Sequence, residues 1–313
     1  MGNKASTKLY NTERKMQFIT EARSGTNFGC SVFNTTQPYE EDTKQDVCEF
    51  SVEILQPIVD KCFGVRARTV DTVIGFLRAY VEWCREHGYS TSDAIFNVKN
   101  DTSEKIRSSM VSSPKHLEMI LDAVFEPVDR ETVDCIYRCY LWMAFAGLED
   151  VDAVKVKISE IDFDAMLIEH NGRSFNIYRE AVPAFRAACN ATEFTYIHPK
   201  YGEVIRERHV GDNLMRGIRS ESVKVETARS SVGKKLRESG YEITYGKIRL
   251  SGVFYEAYES ERMGVPANFN GLVEEKLARM NHKYNGKYTR SKQAYAIRQD
   301  LLTDYKRWKD AFR

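Results

Sequence analysis

The chain has 313 residues, of which 42% are hydrophobic, and a formal net charge of +1. This length and composition predict two folded domains with ordinary apolar cores. No segment approaches the roughly 18 consecutive apolar residues of a membrane span, so we expect no membrane partner. Seven cysteines without a CxxC pair and six scattered histidines predict a reducing cytoplasm, no metal site and no cofactor.

Charge is distributed unevenly along the chain. Residues 1–200 carry −7, residues 201–313 carry +8, and residues 280–313 alone carry +6. This asymmetry indicates that a polyanion binds part of the surface. For the basic tail alone, a solvated charged helix is the simpler interpretation.

The first third of the chain predicts helices. A short helix is expected within residues 11–21, and the acidic residues 40–46 predict a loop. Ser51 is a suitable N-cap for a helix over residues 52–62, and Arg66 and Arg68 are then expected in a short turn. The strongest helical pattern covers residues 69–87 and ends at Gly88. Its apolar positions are Val70, Val73, Ile74, Phe76, Leu77, Tyr80, Val81 and Cys84.

Residues 97–112 are polar and predict a linker between a helical domain over residues 1–96 and a second domain over residues 113–313. Ser113 and Pro114 begin the next helix, and residues 131–146 are apolar enough for a buried one. The near-alternation of Val154, Val156, Ile158 and Ile161 then favours extended structure.

A hairpin is expected next. Asn171-Gly172 lies between two short β-type segments, residues 166–170 and 174–178, which is a strong hairpin signal. Helices over residues 181–189 and 227–240 follow. This order predicts a mainly α fold with a small antiparallel β-sheet.

One segment carries a family resemblance. Ala146–Phe163 reads AGLEDVDAVKVKISEIDF and resembles, without a gap, the segment TGLRISEaLaLkWsDIDF of tyrosine recombinases and phage integrases. The helix over residues 69–87 is similar to the closing helix of the core-binding domain in that family. The resemblance implies a helical core-binding (SAM-like) domain, a recombinase catalytic-type domain with a C-terminal tail helix, and double-stranded DNA as the partner.

The family's catalytic groups are largely replaced. The arginine that binds the scissile phosphate corresponds to Glu149, whose charge would repel it, and the usual acid three residues later corresponds to Asp152. Arg173 occupies the place of the hairpin lysine. It can contact phosphate but is a poor proton donor. The second box, HxLRH, aligns with residues 246–250, keeps Arg249 and lacks both histidines.

The third box is represented by His282, and the candidate nucleophiles are Tyr284, Tyr288 and Tyr295. None of them has the family spacing. Tyr295 shares a helical apolar stripe with residues up to 312, which favours a place in the core over a role as nucleophile.

These residues favour a catalytically degenerate recombinase fold that binds DNA, as a phage or mobile-element regulator or repressor does. The alternative is a divergent but active recombinase. A further alternative is an adaptor that assembles into a homo-oligomer through its C-terminal helix. No small-molecule substrate is evident. The expected DNA contacts are Arg66, Arg68, Arg173, Lys247, Arg249, Lys283, Lys287 and Arg290.

Overall fold

The computed structural model describes residues 9–22, 25–62, 67–100, 103–128, 132–198, 200–280 and 290–313. They form mostly helices with two small antiparallel sheets, which confirms the predicted fold class. Contacts divide the chain into two compact units, one with residues 1–105 and 276–307 and the other with residues 106–275 and 308–313. No helix in the described ranges is both long enough and apolar enough to cross a bilayer.

The first unit is a helical bundle. Its helices are α1 (Thr12–Glu21), α2 (Thr26–Thr43), α3 (Val52–Cys62), α4 (Ala67–Glu86) and α5 (Ala94–Asn97). All eight apolar positions predicted on α4 are buried, and Gly88 follows the helix with a φ of 77°. Phe18 of α1 packs against Phe76 and Tyr80 of α4, with ring centroids 5.3 and 5.1 Å apart. The predicted stripe of α4 therefore forms the centre of this unit.

Two predictions in this unit are wrong. The acidic loop over residues 40–46 is helical as far as Thr43, because Glu40 turns into the core and accepts hydrogen bonds from Lys15 Nζ at 2.6 and 2.5 Å. Arg68 lies in the first turn of α4 and not in a connecting turn, since Ala and Arg favour helix and extend it backwards. Arg66 is outside the described residues.

The segment predicted as a linker contains a helix, α6 (Ser103–Ser109). Its one strongly apolar side chain, Ile106, is buried. In the tail, α13 (Asn270–Met280) and α14 (Arg290–Phe312) each contribute residues to both units.

The second unit is built around one buried helix. Its helices are α7 (Pro114–Val124), α8 (Asp134–Phe145), α9 (Asp150–Ala153), α10 (Val182–Asn190), α11 (Val225–Glu238) and α12 (Tyr245–Arg262). Every residue of α8 is buried, and α10, α11 and α12 pack around it. The predicted cap is present on α7, where Ser113 Oγ accepts from His116 N.

Helices α8 and α12 approach each other unusually closely. A β-carbon at Gly252 would lie 1.7 Å from the carbonyl oxygen of Phe145. Because Gly252 has no side chain, the backbone of α12 can lie directly against Phe145, the last residue of α8.

A three-stranded sheet in the order β1 (Ile161–Asp162), β2 (Leu167–His170), β3 (Arg173–Asn176) lies beside these helices. The predicted hairpin is confirmed, with His170 opposite Arg173. Asn171 and Gly172 have φ values of 51° and 71°, as a two-residue type I′ turn requires.

The expected extended segment over residues 154–161 is only partly correct. Just Ile161 and Asp162 form a strand, and a 3-10 turn over Ile158–Glu160 precedes them. Val154 and Val156 lie in the hydrophobic core. Their carbonyl oxygens accept hydrogen bonds from Asn213 Nδ2 and Leu214 N, so no strand is needed to pair them. A second hairpin, β4 (Glu193–His198) and β5 (Gly202–Glu207), was not predicted.

Candidate nucleic-acid interface

The first turns of α12 position Arg249 against the end of α8. Thr244 caps the helix by accepting from Lys247 N at 3.3 Å, and Lys247 itself is half-buried. Arg249 Nε donates to the carbonyl oxygen of Gly147 at 2.7 Å. Gly147 has a φ of 99°, which glycine adopts readily. The structure therefore brings the Gly-Leu segment and the arginine box together.

Arg249 is bound by a carboxylate of its own chain. Its Nη1 and Nη2 donate to Oε1 and Oε2 of Glu275, on α13, at 2.7 and 2.5 Å. The side chains are only 12% and 17% exposed. This bidentate geometry is the one a guanidinium adopts with a phosphate, so Glu275 occupies the donors with which Arg249 would bind a phosphate.

A cavity of about 220 Å³ lies beside this pair. Two arginines, Arg173 and Arg249, and two carboxylates, Glu256 and Glu275, line it. Glu256 accepts from Asn176 Nδ2 at 3.0 Å and from Tyr178 Oη at 3.2 Å. Burial raises the pKa of Glu256 above its ordinary value, although these hydrogen bonds lower it. The charges in the cavity are balanced, so it has no net attraction for an anion.

Arg173 is the more available of the two arginines. It begins β3 and is exposed, with its guanidinium carbon 4.9 Å from the centroid of the Phe175 ring. It has no ion pair within the described part of the chain. The hairpin thus carries a basic group to the cavity of Arg249 and leaves it accessible to an anion.

The acidic residues of the first box belong to α9 and its N-cap. Glu149 is the N-cap of α9 and is half-buried, with its carbonyl oxygen accepting from Ala153 N at 2.8 Å. Asp152 lies within α9. Ala146 and Gly147 line the cavity, but Glu149 and Asp152 are not among its lining residues.

The predicted core position of Tyr295 is wrong, because its side chain is 64% exposed. The buried stripe of α14 is narrower than the sequence indicates and contains Leu301, Tyr305 and Trp308, at spacings of four and three. Leu302, next to Leu301, points outward and is 38% exposed.

Five further predicted site residues lie outside the described part of the chain: His282, Lys283, Tyr284, Lys287 and Tyr288. Arg68 belongs to the helical backbone of α4. Arg290 is the exposed first residue of α14. Further along this helix, Arg307 Nη1 donates to Asn100 at 3.2 Å and Lys309 Nζ to Glu261 at 2.8 Å, so part of the basic tail is engaged within the chain.

The sequence alone did not identify Glu275 as a site residue. It lies in an ordinary amphipathic helix, between an exposed Glu274 and a half-buried Lys276, and no motif marks it. The 26-residue separation from Arg249 leaves no local spacing signal. Within the described ranges, no group of three or more His, Cys, Asp or Glu side chains is arranged to hold a metal ion.

Comparison with known proteins gives one family model and several structures. Residues 9–86 match the family described as MrpR, N-terminal core-binding domain. This match agrees with the core-binding domain expected in the N-terminal part of the chain. No curated protein sequence matches the chain.

Three solved structures are similar over most of the chain. An integrase from mycobacterium phage Brujita is 15% identical, covers 97% of this chain and 92% of its own, and has a TM-score of 0.35. A XerA recombinase is 10% identical over 87% of this chain and 98% of its own, with a TM-score of 0.38.

The third structure is a lambda integrase (75–356) dimer bound to a COC′ core site. It is 10% identical over 90% of this chain and 99% of its own, with a TM-score of 0.34.

Proposed function

We propose that this chain, whose residues 9–86 match a core-binding domain, binds double-stranded DNA as a regulator and does not cleave it. A repressor or other transcriptional regulator of a phage or mobile element is the role that fits this combination. Dispersed basic residues bind the phosphates of the DNA backbone. The cavity that corresponds to the recombinase active site does not activate a phosphodiester.

The observation that carries the proposal is the bidentate pair between Arg249 and Glu275. A recombinase stabilises the charge that develops on the scissile phosphate with free guanidinium donors. Here the one arginine kept in kind already has a carboxylate partner, and a phosphate entering the cavity would also meet Glu256. The loss of one such catalytic group commonly lowers the rate by orders of magnitude.

Affinity for DNA does not depend on that cavity. It comes largely from phosphate contacts made by many separate Lys and Arg side chains. Arg173 and Arg290 are exposed and suited to this role. Arg66, Arg68, Lys247, Lys283 and Lys287 remain proposed contacts on the strength of the sequence. Arg249 is a weaker candidate, because Glu275 must release it first.

A shift assay with mixed-sequence duplex across a salt series tests the proposal. The logarithm of the binding constant should fall linearly with the logarithm of the salt concentration. Arg173→Ala should reduce the slope by about one, whereas Arg262→Ala, which removes an exposed arginine paired with Glu259, should leave it unchanged. Absence of any shift at low salt would exclude DNA binding.

The alternative function is site-specific recombination by a divergent active site. The convergence of Arg173 and Arg249 on one cavity favours it, because a recombinase needs two cationic groups at the phosphate. A covalent protein–DNA adduct would support it, and loss of the adduct in only one of Tyr284→Phe, Tyr288→Phe or Tyr295→Phe would identify the nucleophile.

Self-assembly through the tail helix is a further candidate. Its apolar side chains Leu301, Tyr305 and Trp308 are buried within a single chain, so assembly in trans would require them to exchange partners. Light scattering that gives a dimer or larger species at micromolar concentration would support this function, and a monomer with and without DNA would exclude it.

A further inference from the structure

The second unit contains another cavity, of about 680 Å³, at the N-terminal end of α12. Helix α8 contributes Tyr140, α11 contributes Val232, Leu236 and Arg237, and the residues entering α12 complete it. This volume lies within the range of small-molecule sites in proteins. The cavity shares no lining residue with that of Arg249, so it is a separate feature of the molecule.

The hydroxyl of Tyr140 is the unusual group in this cavity. The side chain is 0% exposed, and no atom in the described part of the chain forms a hydrogen bond with Oη. Its neighbour Tyr245, whose ring centroid is 4.4 Å away, is satisfied, since its hydroxyl donates to Leu148 O at 3.1 Å. Buried hydroxyls are nearly always paired, so an unpaired one in a cavity wall calls for a partner from outside the chain.

The beginning of α12 supplies further donors to the same cavity. This helix has 18 residues, and Tyr245 and Gly246 in its first turn line the cavity. Lys247 N in this turn donates to the Thr244 cap, so the amides of Tyr245 and Gly246 are the ones without an acceptor in the helix. The helix dipole makes this end positive. The 18-residue length makes the dipole fully developed.

The charged side chains around the cavity are close to balanced. Arg229 donates to Asp150 from Nε at 3.1 Å and from Nη2 at 2.5 Å, which neutralises that carboxylate. Arg237, in the last turn of α11, and Glu242, in the loop before α12, also line the cavity. The unpaired Tyr140 hydroxyl and the amides of α12 therefore decide which ligand fits, and all of them can donate a hydrogen bond. Val232, Leu236 and Ile243 form the apolar part of the wall.

We infer that this cavity binds a small organic acid, with its carboxylate at the first turn of α12 and the Tyr140 hydroxyl, and its hydrocarbon part against Val232, Leu236 and Ile243. The site is independent of the proposed DNA-binding function. Its occupant would contact the helix that carries Arg249 one turn further on.

Amide NMR spectra of the full chain test this inference. Hexanoate and phenylpropionate are titrated to about 10 mM beside their primary amides, which keep the hydrocarbon part and lack the charge. The acids should shift the amide signals of Gly233 and Gly246 with saturation, and the primary amides should bind at least about tenfold more weakly. Equal binding of acids and amides would show apolar sorption only and overturn the inference.

Tyr140→Phe is the decisive variant, because it removes the hydroxyl and keeps the ring. Its affinity for the acids should fall about tenfold, while Tyr137→Phe, on the same helix outside the cavity, should bind as the wild type does. Tyr140→Phe should melt at the same temperature as the wild type or higher, since it removes an unpaired buried group. Unchanged acid binding in this variant, or no shift at Gly233 and Gly246 with either acid, would disprove the site.

Discussion

Arg249 and Glu275 face each other through two parallel hydrogen bonds, Nη1 to Oε1 at 2.7 Å and Nη2 to Oε2 at 2.5 Å. The carboxylate thus occupies the arginine in the manner of a phosphate group. Because both side chains are mostly buried, the pair is less screened by salt than a surface ion pair. It links α12 to α13 and neutralises one of the two arginines that line the cavity.

Breaking this pair should expose its effect on DNA binding. Glu275→Gln frees the donors of Arg249, so we expect tighter duplex binding and a salt slope steeper by about one. Glu274→Gln removes the same charge from the neighbouring exposed position and controls for the general loss of repulsion. Shift assays on both variants measure the difference. Identical affinities for the two would mean that Arg249 does not reach DNA even when it is free.

Replacing glycine by alanine should have very different effects on stability at two positions of α12, Gly252 and Gly246. Gly252→Ala places a β-carbon against the backbone of Phe145, so it should lower the free energy of unfolding by about 3 kcal/mol or more. Gly246→Ala, on the same helix with nothing within 4 Å of the added carbon, should be neutral or stabilising by about 0.5–1 kcal/mol. Urea denaturation of both variants gives the comparison. A mild effect at Gly252 would show that α8 and α12 are further apart.

Arg208, after β5, should be a structural arginine. It is buried beneath the Phe194 ring and donates to the carbonyl oxygens of Ala191 at 3.1 Å, Leu214 at 2.6 Å and Arg216 at 3.2 Å. Burial lowers the pKa of Arg208 to about 10. Arg208→Met leaves these acceptors unpaired and should cost about 3 kcal/mol or more.

Arg208→Lys should recover only part of that loss, because an ammonium lacks the planar fork. Arg206→Met, at an exposed position of β5, is the matched control and should change stability little. Thermal unfolding of the three variants checks this prediction, and full recovery by lysine would contradict it.

The buried Glu256 predicts a specific dependence of stability on pH. The pKa of Glu256 in the folded chain is raised above its value of about 4.3 in the unfolded chain. At a pH between the unfolded and the folded pKa, the folded chain therefore holds more protons than the unfolded chain. The stability that this group contributes therefore falls as pH rises through that window and is constant above it.

Glu256→Gln should remove this dependence. The free energy of unfolding of the wild type minus that of the variant should decrease from about pH 4 upward and then level off. Glu203→Gln, at an exposed position, should give a difference that varies less with pH. A difference that increases with pH would mean that the pKa of Glu256 is lowered in the folded chain.

The sequence predicted those parts of the fold that depend on local patterns. The apolar spacing of residues 69–87, the Ser113 cap and the Asn171-Gly172 turn each have a physical signature within a few residues. The Asn171-Gly172 turn also fixes the pairing of β2 with β3. In contrast, the pairing of Lys15 with Glu40 could not be predicted, because a lysine or glutamate in a helix ordinarily faces water and only the tertiary fold buries these two.

The candidate site divides in the same way. Arg173 and Arg249 were identified from motifs, and the structure brings them to one cavity. The sequence marks neither Glu275 nor Glu256, although both set the charge of that cavity, because Glu275 lies in a helix without a motif and Glu256 lies on α12 beyond the arginine box. Tyr295 was misplaced, since periodicity alone shows which residues share a stripe but not how far along the helix a partner surface extends.

Binding without cleavage is tested with one nicked suicide duplex, which is incubated with the full chain and divided between a native and a denaturing gel. A duplex of mixed sequence at low salt is sufficient, because phosphate contacts dominate such binding. We expect a salt-sensitive shift on the native gel and no covalent protein–DNA band on the denaturing gel. A covalent band that disappears when one tyrosine is replaced by phenylalanine would show that the chain cleaves DNA, and the absence of any native shift would show that it does not bind DNA.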